Sequence, residues 1–195
     1  PLAGGQLRFG NSVDQFLNLV EECRLALPHA DSVIGIAPHS LRATSPDDLR
    51  ELLNATSDGP VHIPIAEQLK EVADVEAALG QRPVEWLLDH VDVDDRWCLI
   101  HATHMTDAET RAVARSGAVA GLCPITEANL GDGIFNGAVY VEEGGRFGVG
   151  SDSNVRISLP EELRTLEYSQ RLRDHARTVL VKNEGSVGQA LYTGA

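Results

Sequence analysis

The fold class is decided by the stretch Arg96-Trp-Cys-Leu-Ile-His101, by Thr106-Asp-Ala-Glu109 behind it, and by Ala118-Val-Ala-Gly-Leu-Cys123. Both apolar runs are typical of strands buried in a parallel sheet. The Thr-x-x-Glu pattern between them is a capping box that predicts the start of a helix, and Gly117 predicts its end. A strand, a helix and a second strand in this order predict a right-handed βαβ unit.

The same alternation of strands and helices continues along the rest of the chain. Three further strands are predicted at residues 32–37, 60–66 and 146–151, giving five in all. Helices are predicted behind the caps Ser12 and Ser45, at 71–79 and 84–90, and from 160 to about 181. The glycine-rich segment 128–137 is predicted to be irregular. The pattern fits two α/β architectures, an open doubly wound sheet and a (β/α)8 barrel, and no Gly-x-Gly-x-x-Gly motif supports a dinucleotide-binding sheet.

Composition and charge argue against several classes of partner. The 195 residues carry 16 Lys and Arg against 29 Asp and Glu, a formal net charge of −13, so we expect no binding to nucleic acid or to an anionic membrane. The three cysteines, Cys23, Cys98 and Cys123, are widely spaced and form no Cys-x-x-Cys pair. This spacing argues against a disulfide framework or a cysteine-rich zinc site, and it predicts a reducing compartment, the cytoplasm.

Reactive side chains cluster where the predicted strands end. They are His39 and Arg42 after the first strand, His62 and Glu67 around the end of the second, His101 and His104 at the third, and Asp152 at the fifth. Any one of them is also ordinary as a polar loop residue. Together they occupy the carboxyl ends of parallel strands, where barrels and open α/β sheets carry their chemistry, so the set predicts a functional site.

The residue types favour hydrolysis by a metal-activated water. Histidine and aspartate are metal ligands, a bound metal lowers the pKa of its water toward ~7, and a carboxylate such as Glu67 can carry the proton to a leaving group. Arg42 suits the carboxylate of a small acidic substrate because its planar fork binds a carboxylate with two hydrogen bonds, although a surface ion pair uses arginine equally well. His101 and His104 have the spacing of a ligand pair on a helix, but the strand-like run before them places His104 in a loop.

A family resemblance is carried by His39-Ser-Leu-Arg42-Ala, Val61-His-Ile-Pro64-Ile-Ala-Glu67-Gln, Trp97-Cys-Leu-Ile-His101-Ala-Thr-His104, Gly121-Leu-Cys-Pro-Ile-Thr-Glu127-Ala-Asn-Leu-Gly-Asp132-Gly, Gly150-Ser-Asp152-Ser and the helical segment from Glu161 to Arg173. In these stretches the chain resembles the amidohydrolase superfamily, and closely the formimidoylglutamate deiminase family within it. The resemblance implies an α/β fold of the (β/α)8 TIM-barrel type. Residues 1–195 would form a single partial barrel domain, from about strand 4 to strand 8.

The resemblance also implies a reaction and a role for each residue. Members of that family act in histidine degradation and convert N-formimidoyl-L-glutamate and water to N-formyl-L-glutamate and ammonia on one zinc ion. By resemblance, Asp152 is a zinc ligand that accepts a proton from the bound water, Glu67 passes that proton to the departing nitrogen, and His101 stabilises the tetrahedral intermediate. His39 and Arg42 would bind the glutamate end of the substrate.

The chain departs from the family pattern mainly at the metal ligands. The family places a histidine ligand three residues before the catalytic glutamate, and here that position is Pro64, which has no imidazole. His62 lies on the same strand face but roughly 6–7 Å farther along the strand, so it is a weak substitute. No His-x-His ligand pair of the family's first strand precedes the first predicted strand, and Asn154 stands where related enzymes often have histidine. Of the four expected ligands, the chain retains Asp152.

Three hypotheses follow: a deiminase of the formimidoylglutamate type, another deaminase of the superfamily such as one acting on guanine or cytosine, and a degenerate barrel without catalytic activity. The chain begins at Pro1, has Met105 as its single methionine and is shorter than the ~250 residues of a typical barrel, so we expect a fragment. Because a partial barrel exposes sheet edges, we also expect a homo-oligomer or poor solubility.

Overall fold

The computed structural model describes residues 4–27, 30–181 and 185–195. Its centre is a parallel sheet in the order β1-β2-β3-β4. The strands are β1 (Val61–Ile65), β2 (Trp97–His101), β3 (Val119–Leu122) and β4 (Arg146–Val149). The register pairs Ile65 with His101 and Leu122 with Val149, so the carboxyl ends of the strands lie along one edge. The predicted parallel βαβ arrangement is confirmed.

The helices alternate with these strands as the sequence predicts. A short 3-10 helix (Gly4–Phe9) precedes α1 (Val13–Ala26), α2 (Pro46–Ala55), α3 (Leu69–Leu79), α4 (Pro83–His90), α5 (Asp107–Ser116), α6 (Pro124–Leu130), α7 (Gly137–Glu142), α8 (Leu159–Asp174) and α9 (Val187–Gly194). Both predicted capping boxes are present, with Ser12 accepting from the Gln15 N–H and Thr106 from the Glu109 N–H, each at 3.2 Å. Within the described ranges, no helix has the length and apolar character needed to cross a bilayer.

The strand predicted at 32–37 is wrong, because this segment makes a single parallel bridge, between Ile36 and Val61. The Ile36 N–H donates to the Pro60 oxygen at 3.0 Å, and the His62 N–H donates to the Ile36 oxygen at 2.9 Å. The next two ladder bonds would need N–H groups from residues 38 and 64, and both of these residues are proline. The two prolines therefore stop the ladder after one residue pair.

The irregular segment predicted at 128–137 is correct only in its centre. Helix α6 runs into it as far as Leu130 and ends at Gly131, whose φ of 72° is a left-handed conformation that glycine adopts freely. Helix α7 begins at Gly137. Both helices are too short for apolar periodicity to reveal them, so the turn-forming residues dominate the prediction.

Helix α8 ends at Asp174, earlier than the predicted end near residue 181, because the chain folds back on the helix. His175 caps the helix in a left-handed conformation with φ 52°. The N–H groups of Val179 and Leu180 then donate to the buried Glu167 carboxylate at 3.1 and 3.0 Å. These two hydrogen bonds and the burial of Leu180 favour the turn over a longer helix.

The two faces of the sheet differ in burial. Alternate residues of β1 and β2 lie in the hydrophobic core, namely Val61, Ile63, Ile65, Trp97 and Leu99. The residues between them and their neighbour on β3 form what we call the open face, consisting of His62, Pro64, Cys98, Ile100 and Gly121. All five are exposed or half-buried. The sheet is therefore covered by hydrophobic packing on one face and leaves the other accessible.

Candidate functional site

Glu67 lies just beyond the carboxyl end of β1, in a turn held by a second glutamate. Ala66 adopts a φ of 51°, in the left-handed region that non-glycine residues seldom use. The Glu71 carboxylate, on a residue only 2% exposed, accepts hydrogen bonds from the N–H groups of Ala66 (2.9 Å) and Glu67 (2.8 Å). These bonds fix the backbone of the turn, and the Glu67 side chain extends toward the end of β2.

His101 is the last residue of β2 and places its imidazole between two carboxylates. The chain leaves the strand through left-handed conformations at His101 (φ 67°) and Ala102 (φ 49°), and the Ala102 N–H donates to the Ile65 oxygen at 3.0 Å. His101 Nδ1 lies 3.3 Å from Glu127 Oε1, and Nε2 lies 3.9 Å from Glu67 Oε1. Two residues held in such backbone conformations beside buried charged groups are typical of a functional site.

Cys123 and Glu127 form a buried cluster with His101. Cys123 is the cap residue of α6, and Glu127 lies in the first turn of this helix. The Cys123 N–H donates to Glu127 Oε1 at 2.9 Å. One ligand atom from each of the three side chains lies within 4.8 Å of the other two. An imidazole, a thiol and a carboxylate at this spacing can hold a metal ion.

A loop behind α6 brings Asp132 to Glu67. Gln68 Nε2 donates to Asp132 Oδ1 at 3.0 Å, and the His104 ring Nε2 lies 2.7 Å from the Asp132 backbone oxygen. His104 therefore faces the loop, as the strand-like run before it predicts. The second carboxylate oxygen, Asp132 Oδ2, is buried and has no hydrogen-bond partner in the part of the chain that the structure describes. Asp132 thus places a carboxylate oxygen that accepts no hydrogen bond from the described residues near Glu67, the residue predicted to carry the proton.

Burial and neighbouring charges shift the pKa values of Glu67 and His101. Burial raises the pKa of Glu67, and the Asp132 carboxylate raises it further while His101 opposes the rise. Burial by itself lowers the pKa of His101, but hydrogen bonds to Cys123 and Glu127 and the charge of Glu67 outweigh it and raise the pKa to about 10. Glu67 therefore retains its proton to a higher pH than an ordinary glutamate does, and His101 is positively charged at neutral pH.

In the part of the chain that the structure describes, the other predicted site residues make no direct polar contact with the Glu67–His101 pair, although burial and, to a smaller extent, the nearby Asp152 charge raise the pKa of the Cys123 thiol beside His101. His39 and Arg42 are exposed in the segment before α2, with His39 Nδ1 3.1 Å from Ser40 Oγ. Asp152 is exposed in the turn after β4, where its φ is 42°, and Asn154 accepts a hydrogen bond from Ser151 Oγ at 2.8 Å. Within the described ranges, no hydrogen bond or ion pair joins His39, Arg42 or Asp152 to the pair.

Comparison with known proteins decides the family. A model described as the amidohydrolase family matches residues 10–191. The chain belongs to the amidohydrolase family. It is 51% identical over its whole length to formimidoylglutamate deiminase of Pseudomonas aeruginosa, of which it covers 44%. A crystal structure of an amidohydrolase from Brucella melitensis is 57% identical, with a TM-score of 0.96 over 100% of this chain and 44% of that one. The chain thus spans less than half the length of these relatives.

These similarities confirm the predicted fold class. The four parallel strands are part of a TIM-barrel type fold of this family, in which the open face belongs to the interior of the barrel. An adenosine deaminase from Xanthomonas campestris, solved with bound zinc, has a TM-score of 0.76 and 25% identity, over 86% of this chain and 40% of that one. The predicted resemblance to the family is confirmed as well.

The zinc ligands that the resemblance implies are not assembled by this chain alone. Pro64 offers no ligand atom at the histidine position, and His62 is exposed farther down the open face. Asp152 is exposed at the end of β4. A catalytic zinc ion takes three protein ligands and a water molecule. The residues of this chain at the family positions therefore do not fit the family's ion without further ligands.

Three carboxylates that shape the site carry no role in the sequence interpretation: Glu71, Glu127 and Asp132. Glu71 and Glu127 each lie in the first turn of the helix that follows a strand, and each binds a backbone N–H near the end of that strand. A carboxylate in a first helical turn is stabilised by the helix dipole. An acid at this offset behind a predicted strand is the signal that finds both of them, whereas the contact between Asp132 and Gln68 has no local signal.

Proposed function

We propose that the full-length protein hydrolyses N-formimidoyl-L-glutamate to N-formyl-L-glutamate and ammonia. The observation that carries this proposal is the Glu67–His101 pair, in which Oε1 and Nε2 lie 3.9 Å apart at the carboxyl edge of the sheet. The 51% identity to a deiminase of this specificity supports the substrate. A carboxyl group with a raised pKa beside a cationic imidazole suits a reaction that adds water to carbon and expels nitrogen.

In this proposal Glu67 moves the proton of the attacking water. The water oxygen bonds to the formimidoyl carbon, Asp152 accepts one proton of the water, as the family pattern implies, and Glu67 takes that proton on to the imino nitrogen. The hydroxyl proton of the tetrahedral intermediate then moves to the same nitrogen by way of the two carboxylates. As it moves, the carbonyl forms and the carbon–nitrogen bond breaks to release ammonia. Because burial raises the pKa of Glu67, the group holds the proton between the two steps at a higher pH than an ordinary glutamate does.

His101 is proposed to act on the negative charge that develops on oxygen when water adds to the formimidoyl carbon. Its imidazole is fixed through Nδ1 by Glu127, and Nε2 is turned to Glu67. A positive charge held in this place stabilises the negative oxygen of the tetrahedral intermediate and needs no reorientation as the intermediate forms. His101 is therefore proposed as a catalytic residue rather than a metal ligand of the family site.

Arg42 and His39 are proposed to bind the glutamate end of the substrate. Both follow the bridge that joins Ile36 to β1, and both are exposed. Among the residues that the structure describes, Arg42 has no ion-pair partner, so its guanidinium can receive a substrate carboxylate.

The test is ammonia release from N-formimidoyl-L-glutamate by the full-length protein supplied with zinc. Glu67→Gln keeps the shape of the side chain and is expected to lower kcat by ~10²–10⁴-fold, the usual contribution of a proton-transfer group. Glu76→Gln, on the exposed side of α3, is the matched control and is expected to retain the wild-type rate. Absence of turnover in the wild-type protein, or full activity in Glu67→Gln, would overturn the proposal.

A deaminase acting on a neutral base such as guanine or cytosine is the second candidate, favoured by the structural similarity to an adenosine deaminase. Arg42→Ala separates the two candidates. An acidic substrate loses its carboxylate partner, so KM is expected to rise with little change in kcat. An unchanged KM for the acidic substrate would favour the neutral base.

A barrel without catalytic activity is the third candidate, and the observation that favours it is Pro64 at a ligand position. Elemental analysis of the full-length protein and of its Asp152→Asn variant distinguishes it, because we propose that zinc is the cofactor and expect the zinc content to be lower in the variant. We also propose that the 195-residue chain by itself forms a homo-oligomer, since its open face and the edge of β1 are accessible. Light scattering that gives a compact monomer would contradict the oligomer.

A further inference from the structure

The cluster of His101, Cys123 and Glu127 contains donor atoms that do not touch the substrate in the proposed reaction, in which Glu127 only orients the His101 ring. These are the Cys123 sulfur, the Glu127 carboxylate, and Nδ1 of His101, the ring nitrogen turned away from Glu67. His101 and Cys123 are 5% exposed and Glu127 is 4% exposed. A thiol, an imidazole and a carboxylate seldom converge in a buried site without a ligand or a partner that requires them.

The geometry of the cluster matches the spacing of ligands around a tetrahedral ion. His101 Nδ1 and Glu127 Oε1 are 3.3 Å apart, longer than the ~2.7–2.9 Å of a hydrogen bond between charged groups. Bonds of ~2.0–2.1 Å from zinc to nitrogen and oxygen, at tetrahedral angles, separate the two ligand atoms by about 3.3 Å. The sulfur completes a set whose atoms all lie within 4.8 Å of one another, and zinc–sulfur bonds of ~2.3 Å span such a set with small side-chain movements.

The backbone around the cluster holds the donors in place. The Cys123 N–H donates to Glu127 Oε1 and the Glu127 N–H donates to the Cys123 oxygen, both at 2.9 Å. On the opposite strand, the left-handed conformation of His101 and the bond from the Ala102 N–H to Ile65 fix the position of the imidazole. All three donors are therefore placed before any ion arrives, which lowers the cost of forming a site.

We propose that His101, Cys123 and Glu127 form a binding site for a zinc-type divalent cation, separate from the family site of Asp152 and position 64. Burial raises the pKa of the Cys123 thiol, so binding of the ion must release its proton. The resulting thiolate and the Glu127 carboxylate supply two negative charges to balance the ion, and a nitrogen and a sulfur donor favour zinc over magnesium or calcium. Three protein ligands leave a fourth position for water or another small ligand. The site goes beyond the deiminase proposal. A bound ion would replace the Nδ1 proton of His101 and would supply the positive charge that the proposed reaction needs at this place.

The experiment uses Co²⁺ as a spectroscopic probe in the full-length metal-free protein. Thiolate bound to Co²⁺ gives a sulfur-to-metal charge-transfer band in the near ultraviolet, which the nitrogen and oxygen ligands of the family site cannot give. The band is expected in the wild-type protein, is expected to persist in Cys23→Ser, where the exposed thiol lies on α1, and is expected to vanish in Cys123→Ser. No band in the wild type, or a band that persists in Cys123→Ser, would overturn the site.

Two further measurements keep the test decisive if Cys123→Ser does not fold. Glu127→Gln leaves the thiolate in place, so the band is expected to remain while Co²⁺ affinity falls by at least the ~10–100-fold that loss of a supporting partner costs. In the wild-type protein, the rate of Cys123 alkylation, followed by peptide mass spectrometry, is expected to fall when Zn²⁺ is added. An unchanged alkylation rate would show that the three residues form a hydrogen-bond cluster without an ion.

Discussion

Replacing Glu71 with alanine is expected to destabilise the protein and to displace Glu67. The Glu71 carboxylate accepts the N–H groups of Ala66 and Glu67 at 2.9 and 2.8 Å, and the residue is buried. A hydrogen bond to a charged group contributes ~1.5–3 kcal/mol, so the loss of two predicts a fall of about 3 kcal/mol or more in the free energy of unfolding. At ~2–4 °C for each kcal/mol, the melting temperature should fall by roughly 6–12 °C.

The assay combines thermal unfolding with ammonia release. Glu71→Ala is expected to lower both the melting temperature and kcat, because the left-handed turn at Ala66 loses its support and Glu67 moves away from His101. Glu71→Gln retains one carbonyl acceptor and should fall between the wild type and Glu71→Ala. Glu76→Ala, exposed on the same helix, should change the melting temperature by at most a degree or two. Equal melting temperatures for Glu71→Ala and Glu76→Ala would refute the role assigned to this carboxylate.

Pro64→His is expected to raise the zinc affinity of the full-length protein, measured by competition with a chelator, because it adds an imidazole ligand. Sheet pairing should be kept, since the N–H of this position points away from β2, and an unchanged affinity would contradict the ligand assignment. Asp132→Asn removes a negative charge that raises the pKa of Glu67, so the acidic limb of kcat/KM should move to lower pH, and an unmoved limb would refute the coupling. Tyr140→Phe should cost ~1–2 kcal/mol in urea unfolding, because the buried hydroxyl donates to the Ala118 and Arg146 oxygens. Burial raises the pKa of Tyr140 to about 12, above the ~10 of a tyrosine in the unfolded chain. The free energy of unfolding of the wild-type protein should therefore fall as the pH rises from ~10 to 12. A fall of equal size in Tyr140→Phe would show that Tyr140 does not cause it.

The sequence predicts the elements whose signals are local. The caps at Ser12 and Thr106 are side-chain to backbone contacts within one turn, so the residues alone reveal them. The apolar runs of β1 to β3 are also visible because one face of each of these strands is buried, whereas β4 has no fully buried residue. The strand at 32–37 fails because its pairing depends on donors that are absent in Pro38 and Pro64, a contact between distant segments.

In the candidate site, too, the sequence predicts the residues with a local signal and misses those that depend on contacts between distant segments. Glu67 and His101 are predicted from strand ends and do come together, because parallel strands in register bring their carboxyl ends to one edge. The left-handed backbone at His101 and the acceptor that Asp132 places beside Glu67 depend on how separate loops meet. No pattern in the sequence reports such contacts, so the roles of Cys123 and Asp132 required the structure, whereas Glu127 carries the local signal of an acid in the first turn of the helix behind a strand.

The glutamates that bind loop amides have a consequence for hydrogen exchange. Glu71 and Glu167 accept the N–H groups of Ala66, Glu67, Val179 and Leu180, all in connecting segments, and Glu162 accepts the N–H of Ile125 in the first turn of α6. Amides in connecting segments ordinarily exchange with solvent quickly, because local opening exposes them at little cost. Here each opening must also separate an amide from a carboxylate. These segments should therefore exchange as slowly as the strands, so that the edge carrying the chemistry behaves as part of the rigid interior.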